Sequence, residues 1–375
     1  MNVSLHSPPL WVDDQESIER TCASLMQSNQ IGVDTESNSL YAYREQVCLL
    51  QLSNKQGDFL IDPLAKVDLS PCAQIFASPI IEKIFHAAEY DILCLKRDFG
   101  FEFNHLFDTM HAARILGMEK LNLPSLLSEL LGVERERNFQ KANWGKRPLS
   151  KEMLHYARLD THYLIELRDL LEHRLEQNNL LDLTREDFLR ISRIEPAKRN
   201  SPLYAQVSGY HLLDPQSLAI LDELCKFRDR MAQVLNRPHF KVISSSALLA
   251  VAEAQPMTTN ELKNIKGVSS KIAERYGRDL IEAVKKGANK PPIVLEKRSR
   301  PSQDYLDRLQ ALQNWRKNTA KQMGVQSDII LPREILDDIA AKHPKNKEEL
   351  QCIMAEVPWR YERFGHDIIR IVEKR

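Results

Sequence analysis

The stretch Gly32-Val33-Asp34-Thr35-Glu36 lies in a segment whose side-chain pattern predicts a β-strand over Ile31 to Glu36. Successive side chains of a strand point to opposite faces, so Asp34 and Glu36 share one face. Two neighbouring carboxylates repel each other unless a cation lies between them. Carboxylate oxygens suit hard divalent ions such as Mg²⁺ or Mn²⁺. The pair therefore predicts a metal site, and a solvated acidic strand end is the alternative.

Around this strand, the first 200 residues mix short strands with helices, which is typical of an α/β domain with a mixed sheet. A polar, basic loop is predicted over Asn138 to Pro148, before a long helix with Ser150 as its N-cap. The other predicted strands are Val47 to Ser53, Asp58 to Ile61 and Lys83 to His86. The predicted helices are Ala88 to Phe99, Asp108 to Leu116, Pro124 to Leu131 and Lys151 to Glu176.

A further acidic residue lies on the long predicted helix, in Tyr156-Ala157-Arg158-Leu159-Asp160. Asp160 falls on the apolar stripe of that helix, and its spacing of four residues from Tyr156 puts both side chains on one face. A carboxylate that faces a core needs a partner, because an unpaired buried charge is costly. A metal ion would be such a partner, and a tyrosine–aspartate hydrogen bond that only fixes the helix is the alternative.

A third acidic candidate stands in His86-Ala87-Ala88-Glu89-Tyr90-Asp91, where a predicted strand gives way to a helix. Asp91 would project from the first turns of this helix, near the carboxyl end of the strand. Glu89 is the competing carboxylate. We interpret His86 as a hydrogen-bonded structural residue rather than a metal ligand.

The sequence becomes helical from about residue 203 and repeats itself with an offset of 88 residues. For example, Tyr276-Gly277-x-Asp279-Leu280-Ile281 corresponds to Phe364-Gly365-x-Asp367-Ile368-Ile369. Several coincident pairs at one offset predict two copies of a small helical domain. A linker rich in Pro, Lys and Arg is predicted between them, over Gly287 to Ser302.

The two copies differ at one turn. The first copy has Ile265-Lys266-Gly267-Val268, a glycine turn between helices whose backbone N–H groups would suit a phosphate. The second copy has Met354-Ala355-Glu356-Val357-Pro358 at this place, with an acid and without the glycine.

The net charge is zero, from 52 Lys+Arg and 52 Asp+Glu, but the two parts of the chain differ in sign. Residues 201–375 hold 29 basic and 22 acidic side chains, a balance of +7, so residues 1–200 balance at −7. Lys263 to Arg300 holds 11 of the basic side chains against 4 acidic ones. This asymmetry fits a metal-binding domain beside a phosphate-binding one, and a solvated charged surface is the alternative.

The six cysteines are scattered and form no Cys-x-x-Cys pair, which argues against a zinc site or a disulfide framework. No apolar run approaches the roughly 20 residues that span a bilayer. The N-terminal residues lack the basic flank and apolar core of a signal peptide. We therefore expect a cytoplasmic protein with no membrane association.

In combination these motifs resemble a known family. Asp34-x-Glu36, His86-Ala-x-x-x-Asp91 and Tyr156-x-x-x-Asp160 match, in order, the three exonuclease motifs of the DEDD superfamily, in the branch with tyrosine in its third motif. Three further stretches resemble ribonuclease D, namely Val47-Cys48-Leu49-Leu50-Gln51-Leu52, Ile61-Asp62-Pro63-Leu64 and Trp144-x-x-Arg147-Pro148-Leu149. The C-terminal repeats resemble the HRDC domain, which ribonuclease D shares with RecQ-type helicases.

This resemblance covers nearly the whole chain and implies its fold. We expect a ribonuclease H-like α/β exonuclease domain with a mixed sheet over residues 1–202. Two small all-α HRDC domains are expected to follow, over residues 203–290 and 300–375.

The resemblance also implies a chemistry. Two divalent ions, Mg²⁺ or Mn²⁺, would be held across the scissile phosphate of RNA by Asp34, Glu36, Asp91 and Asp160. Tyr156 and Glu36 are the expected catalytic residues. Tyr156 would orient the attacking water or accept its proton. Orientation is favoured, because a free tyrosine has a pKa of about 10 and is a poor base at neutral pH. The implied reaction is 3′–5′ removal of nucleoside 5′-monophosphates from RNA with a free 3′ end, with tRNA precursors as the substrate class and no obligate protein partner.

Nucleic-acid contacts are expected in two places. Trp144 would stack on a base, and a basic loop would grip the phosphates of the 3′ strand through Arg135, Arg137, Lys141, Lys146 and Arg147. In the first HRDC copy, Lys266 and Gly267 would add affinity that does not depend on sequence. A solvated connecting loop is the alternative for the first place.

Two other functions fit parts of the pattern. A 3′–5′ exonuclease acting on DNA would carry the same motifs, because discrimination depends on a contact to the 2′-hydroxyl that the sequence does not reveal. A non-catalytic RNA-binding scaffold would have lost at least one carboxylate. The presence of all four carboxylates with Tyr156 argues against the scaffold.

Overall fold

The computed structural model describes residues 8–134, 139–196, 201–296 and 300–373. They form two compact units. The first comprises the described residues of 8–37, 47–196 and 300–373, and the second those of 38–46 and 201–296. Arg135 and Arg137, two of the expected phosphate contacts, lie outside the described residues. Within the described ranges, no helix combines the length and apolar character needed to cross a membrane.

A six-stranded mixed sheet lies at the centre of the first unit. Its strands are β1 (Leu10–Val12), β2 (Gln30–Ser37), β3 (Val47–Ser53), β4 (Asp58–Ile61), β5 (Glu82–Phe85) and β6 (Leu106–Asp108). They are arranged in the order β1-β4-β3-β2-β5-β6. The β2–β3 and β3–β4 pairs are antiparallel and the others are parallel. All seven residues of β3 are buried, as expected for a strand covered on both faces.

Helices cover this sheet and form with it the domain that we call the sheet domain. They are α1 (Gln15–Leu25), α2 (Ser70–Ala77), α3 (Glu89–Phe99), α4 (Thr109–Ile115), α5 (Leu123–Leu131), α6 (Lys151–Thr161), α7 (Leu164–Gln177) and α8 (Leu181–Ser192). Helix α6 packs against β2, β3 and β4, whereas α7 packs against β2 and β5. The predicted class, an α/β domain with a mixed sheet, is confirmed.

Every predicted strand and helix of this domain is present, with ends shifted by at most a few residues. The single helix predicted over Lys151 to Glu176 is wrong, because the structure has two helices there. It is interrupted between Thr161 and Leu164. The His162 ring nitrogen Nδ1 lies 2.9 Å from an oxygen of the buried Asp58 carboxylate. The chain also passes so close to β2 that a Cβ at Gly32 would lie 2.7 Å from the Thr161 carbonyl oxygen. These contacts with the sheet explain the interruption, which an apolar stripe does not reveal.

The two helical repeats have the predicted relation. The first contains α9 (Pro215–Val234), α10 (His239–Val242), α11 (Ser245–Ala254), α12 (Thr259–Lys263) and α13 (Ser270–Ala288), and the second α14 (Gln303–Met323), α15 (Ser327–Ile330), α16 (Arg333–Lys342), α17 (Lys347–Ile353) and α18 (Pro358–Val372). Each helix of the second copy begins 88 residues after its counterpart. The predicted linker starts too early, because Gly287 and Ala288 still belong to α13.

The second repeat belongs to the same compact unit as the sheet domain. Ile329 of α15 is buried in the hydrophobic core of the sheet domain, and Val325 and Trp359 pack against that core. The first repeat has a separate core, to which Tyr43 contributes. The boundaries predicted at residues 202, 290 and 300 remain predictions.

We predict that Gly32→Ala destabilises the protein by about 1–3 kcal/mol, because the added methyl group would meet a backbone carbonyl that has to move with the α6–α7 interruption. Urea unfolding followed by circular dichroism measures the change. Gly57→Ala is the matched control, since its Cβ would meet only the ring of Phe59, at 3.9 Å. Equal unfolding midpoints for the two variants would show that the close approach at Gly32 does not constrain the fold.

Candidate active site

Three carboxylates meet where β2 faces α6. Asp34 and Glu36 come from β2, and Asp160 comes from α6. One carboxylate oxygen of each lies within 4.8 Å of the others, and all three side chains are half-buried. The strand spacing of Asp34 and Glu36 therefore places them together as predicted, and Asp160 joins them from the helix.

Asp34 is held by the neighbouring strand. Gln51 of β3 stands opposite Asp34 in the antiparallel register, and its Nε2 donates a hydrogen bond of 3.1 Å to Asp34 Oδ2. The side chain of Gln51 is fully buried. Its Oε1 finds no hydrogen-bond partner in the part of the chain that the structure describes. Gln51 thus keeps a buried polar group in an apolar strand in order to contact a site carboxylate.

The end of α6 is fixed by a buried ion-pair network around Asp58 of β4. The Asp58 carboxylate accepts hydrogen bonds from Arg158 Nε and from Ser53 Oγ, and it contacts His162. Burial raises the pKa of Asp58, but the hydrogen bonds from His162, Ser53 and Arg158 outweigh burial and leave that pKa below its usual value. Asp58 is therefore ionised at neutral pH. Because Arg158 and His162 flank Asp160, the network sets the position of this third carboxylate.

Asp91 of α3 is not a member of the group of three that meet within 4.8 Å among the described residues. It is buried, and its Oδ1 accepts a hydrogen bond from Thr35 Oγ1 of β2. Burial, assisted by the negative charges of Asp108 and Asp160, raises the pKa of Asp91 to about 7 although the hydrogen bonds from Thr35 act to lower it. Asp91 thus lies near the other carboxylates and is ready to take a proton when no cation is present.

The turn that leads to Asp91 is held by Asp108 at the end of β6. Asp108 Oδ2 accepts a hydrogen bond of 2.7 Å from the Ala88 amide, and Oδ1 accepts one of 3.2 Å from the Ala87 amide. Ala87 has a φ of 67°, a conformation that costs a non-glycine residue energy and needs such support. His86 Nδ1 lies 2.9 Å from Thr109 Oγ1, so it has the structural contact that we predicted for it.

Tyr156 lies one helical turn before Asp160 and is only 8% exposed. Its ring packs against Phe139, with ring centroids 5.8 Å apart, and against Trp144, with centroids 6.2 Å apart. Trp144 itself is 1% exposed and lies in an apolar cluster with Cys48 and Leu49. The expectation that Trp144 stacks on a base is therefore wrong for this conformation, because its faces are covered by protein. Trp144 instead packs against Tyr156 in the apolar cluster that restricts the tyrosine ring.

Arg147 also points into the domain rather than toward a substrate. Its guanidinium donates to both oxygens of Asp62, at 2.5 and 2.6 Å, and to the carbonyl of Cys48 at 2.6 Å. Further bonds run to the carbonyls of Trp144 and Lys146. The expectation that Arg147 grips phosphate is contradicted by these contacts, which use its donors to fasten the loop to the sheet domain.

The remaining expected contacts with nucleic acid are on the surface. Lys141 and Lys146 are exposed in the first unit, and Lys266 and Gly267 are exposed in the second. Gly267 has a φ of 90°, and a Cβ there would lie 3.2 Å from that of Ala247, so the turn requires glycine. The exposure of these residues leaves their predicted role open.

Several residues that support the site carried no motif in the sequence. Asp58 and Asp108 stand at strand ends, where an acid is commonly solvated, and Thr35 lies on the face of β2 opposite the one expected to carry the chemistry. Gln51 gave the clearest signal, as the one amide in the otherwise apolar run Val47-Cys48-Leu49-Leu50-Gln51-Leu52. A polar side chain in a buried strand needs a partner, and that partner is Asp34.

The donor set fits divalent cations. Half-buried carboxylates at this spacing repel one another, and a hard cation with oxygen ligands relieves that repulsion. Asp34, Glu36 and Asp160 would hold it, and the nearby Asp91 would join them in its ionised form.

We predict that the metal-free protein loses stability through Asp91 as the pH rises. The folded pKa of about 7 exceeds the unfolded value of about 3.9, so the folded state binds a proton that the unfolded state has lost between these values. The free energy of unfolding of the wild type should fall relative to that of Asp91→Asn, on the order of 1 kcal/mol or more between pH 5 and pH 8. Urea unfolding in EDTA measures both, with the exposed Glu102→Gln as control. A difference independent of pH would contradict the raised pKa.

Comparison with known proteins identifies the family to which this chain belongs. Residues 9–176 match the profile of the 3′–5′ exonuclease domain, and residues 217–284 and 306–372 match that of the HRDC domain. The chain is 30% identical over 298 residues to ribonuclease D of Desulfotalea psychrophila, covering 78% of this chain and 79% of that protein.

Eukaryotic proteins are also similar, and the yeast relative is matched over only half of its own length. The chain is 30% identical over 370 residues to the exosome complex exonuclease RRP6 of Saccharomyces cerevisiae, covering 88% of this chain but only 50% of the yeast protein. The crystal structure of the catalytic core of RRP6 from Trypanosoma brucei superposes with a TM-score of 0.66 at 30% identity, covering 76% of this chain and 81% of that one. Its domain matches, its motifs and its similarity to the bacterial enzyme show that this chain belongs to the ribonuclease D family of DEDD 3′–5′ exonucleases with two HRDC domains.

Proposed function

We propose that this protein is a metal-dependent 3′–5′ exoribonuclease that removes nucleoside 5′-monophosphates from RNA 3′ ends. The observation that supports this most strongly is the convergence of Asp34, Glu36 and Asp160 within 4.8 Å, with Tyr156 one helical turn from Asp160. Membership of the ribonuclease D family makes RNA the expected substrate.

Each carboxylate has a role in this proposal. Asp34, Glu36 and Asp160, together with Asp91, would bind two divalent ions, Mg²⁺ or Mn²⁺. Such ions stabilise the attacking and the leaving oxygen of an in-line displacement at phosphorus. The protein contributes fixed ligand positions, through Gln51 on one side of the site and Asp58 on the other.

Tyr156 orients the attacking water. Its ring packs against Phe139 and Trp144, and this packing restricts the positions open to its hydroxyl. A tyrosine is a weak base at neutral pH, and a hydrogen bond that orients the water is the role its chemistry suits. Glu36 is the other residue proposed to take part directly.

The substrates proposed are RNAs with a free 3′ end, tRNA precursors among them, in the cytoplasm. The exposed Lys146 of the sheet domain and the turn of Lys266 and Gly267 in the first HRDC copy would contact phosphates. Their contribution would not depend on base sequence and would weaken with salt.

The test is digestion of 5′-labelled RNAs, a 3′-extended tRNA and a single strand, beside a single-stranded DNA of the same sequence. Reactions contain Mg²⁺, Mn²⁺ or EDTA. We expect stepwise 3′ shortening of RNA that is lost in EDTA and in Asp34→Asn and Asp160→Asn, and unchanged in Glu102→Gln. Tyr156→Phe should lower kcat roughly 10- to 100-fold with little change in KM, because the lost hydroxyl acts on the water rather than on RNA binding.

Other results would select the rival functions. Faster cleavage of the DNA than of the RNA would indicate a DNA exonuclease. RNA binding without cleavage in either metal would indicate a non-catalytic scaffold. Shortening of the single strand without attack on the extended tRNA would remove tRNA precursors from the proposed substrates.

A further inference from the structure

The second HRDC copy uses the start of α18 in a contact with the sheet domain. The Trp359 amide donates a hydrogen bond of 2.7 Å to Glu186 Oε2 of α8, and the Arg360 amide lies 3.4 Å from the same oxygen. The corresponding place in the first copy is the start of α13, after the glycine turn with Gly267. In the second copy, a carboxylate of the protein's own chain thus occupies the helix start.

The Arg360 side chain is fully buried between two acids of α8. Its guanidinium contacts the Glu186 carboxylate, and its Nη2 donates a hydrogen bond of 2.8 Å to Asp187 Oδ2. The same guanidinium donates to the carbonyl of Ile329, at 2.8 and 3.1 Å. One arginine of the second copy therefore neutralises two buried carboxylates of the sheet domain.

The contact continues from Asp187 toward the site. His111 Nε2 lies 2.9 Å from Asp187 Oδ2, the oxygen that also accepts from Arg360. The backbone amide of His111 donates a hydrogen bond of 3.0 Å to Asp108 Oδ1. The other oxygen of Asp108 holds the Ala88 amide at the start of the helix that carries Asp91. A continuous series of hydrogen bonds thus joins the second HRDC copy to the turn before a site carboxylate.

The charges in this series depend on one another. Burial raises the pKa of Asp187, but His111 and Arg360 outweigh it and bring that pKa to about 2. Removing Arg360 would leave Glu186 and Asp187 as two buried acids with one fewer cation, a change that displaces side chains or recruits water. Asp187 would then move relative to His111, and α4 with Asp108 would lose part of its support.

Two other ion pairs join the domains at the edge of this contact. Arg114 contacts Asp328, and Arg190 contacts Glu334. Both pairs are more exposed than the Arg360 contact, so each contributes little by itself. Arg114 also stands outside the series that leads through Asp187 and His111, which makes it a useful control.

We propose that the second HRDC copy is a brace for the catalytic site, and that Arg360 is a positioning residue that acts on Asp91 through Asp187, His111 and Asp108. This copy would act on the reaction by fixing the turn that carries a metal ligand. The inference rests on the proposed function, because it takes Asp91 to be a ligand of the divalent ions.

The test compares Arg360→Met with wild type in the full chain, by steady-state cleavage of the single-stranded RNA and by Mn²⁺ binding in electron paramagnetic resonance. We expect kcat to fall at least about tenfold with KM within about twofold, and Mn²⁺ to bind several-fold more weakly. Arg360→Lys should recover part of both losses, because it restores a cation between the acids. Arg114→Ala and the exposed Arg363→Ala should match wild type.

A folded Arg360→Met protein with wild-type kcat and Mn²⁺ affinity would overturn the proposal. If that variant does not fold, His111→Leu replaces it, since it breaks the series at its middle and leaves the contact of Arg360 with Glu186 intact. His111→Leu is then expected to show the same losses, and wild-type values for it would overturn the proposal. A wild type that binds Mn²⁺ but cleaves no RNA would count against the proposed function, while the Mn²⁺ affinities of the variants would still decide the role of Arg360.

Discussion

Mutual repulsion among Asp34, Glu36 and Asp160 is the constraint on which the rest of this structure depends. Three carboxylates whose oxygens lie within 4.8 Å would move apart in a deformable protein, or would take up protons. The surrounding fold prevents the first outcome. β2 fixes two of the carboxylates through its central place in the sheet, and α6 fixes the third through its contacts with three strands. In the proposed function, a bound cation would relieve the repulsion that remains.

Buried charges do most of the fixing, and in each case the charge is paired. Asp58 binds the end of α6 through Arg158, and Arg360 pairs with two buried acids of α8, Glu186 and Asp187. A buried ion pair adds little net stability. Breaking it is nevertheless strongly destabilising, because one buried charge is left uncompensated. Such pairs would suit the proposed enzyme, whose metal ligands would have to keep their positions while RNA enters and leaves.

The sequence indicated the carboxylates of the candidate site better than the contacts that hold them in place. Strand periodicity alone predicts Asp34 and Glu36 on one face, and the repeat offset predicts two copies of one helical domain, whose helices begin 88 residues apart in the structure. Trp144 and Arg147 were misassigned, because an aromatic and a cation in a polar loop look alike in sequence whether they face solvent or the core. The interruption at His162 depends on contacts with Gly32 and Asp58, more than 100 residues away in the chain, and no local pattern reports it.

The central claim is that Asp34, Glu36 and Asp160 bind divalent cations, and anomalous diffraction from crystals soaked in Mn²⁺ tests it most directly. The account predicts at least one manganese peak bonded to oxygens of all three carboxylates, with the Asp91 carboxylate ionised and close to it. The same crystals of Asp160→Asn should lose that peak or show it much weakened. Ordered carboxylates without manganese between them, in crystals grown above pH 7, would contradict the account.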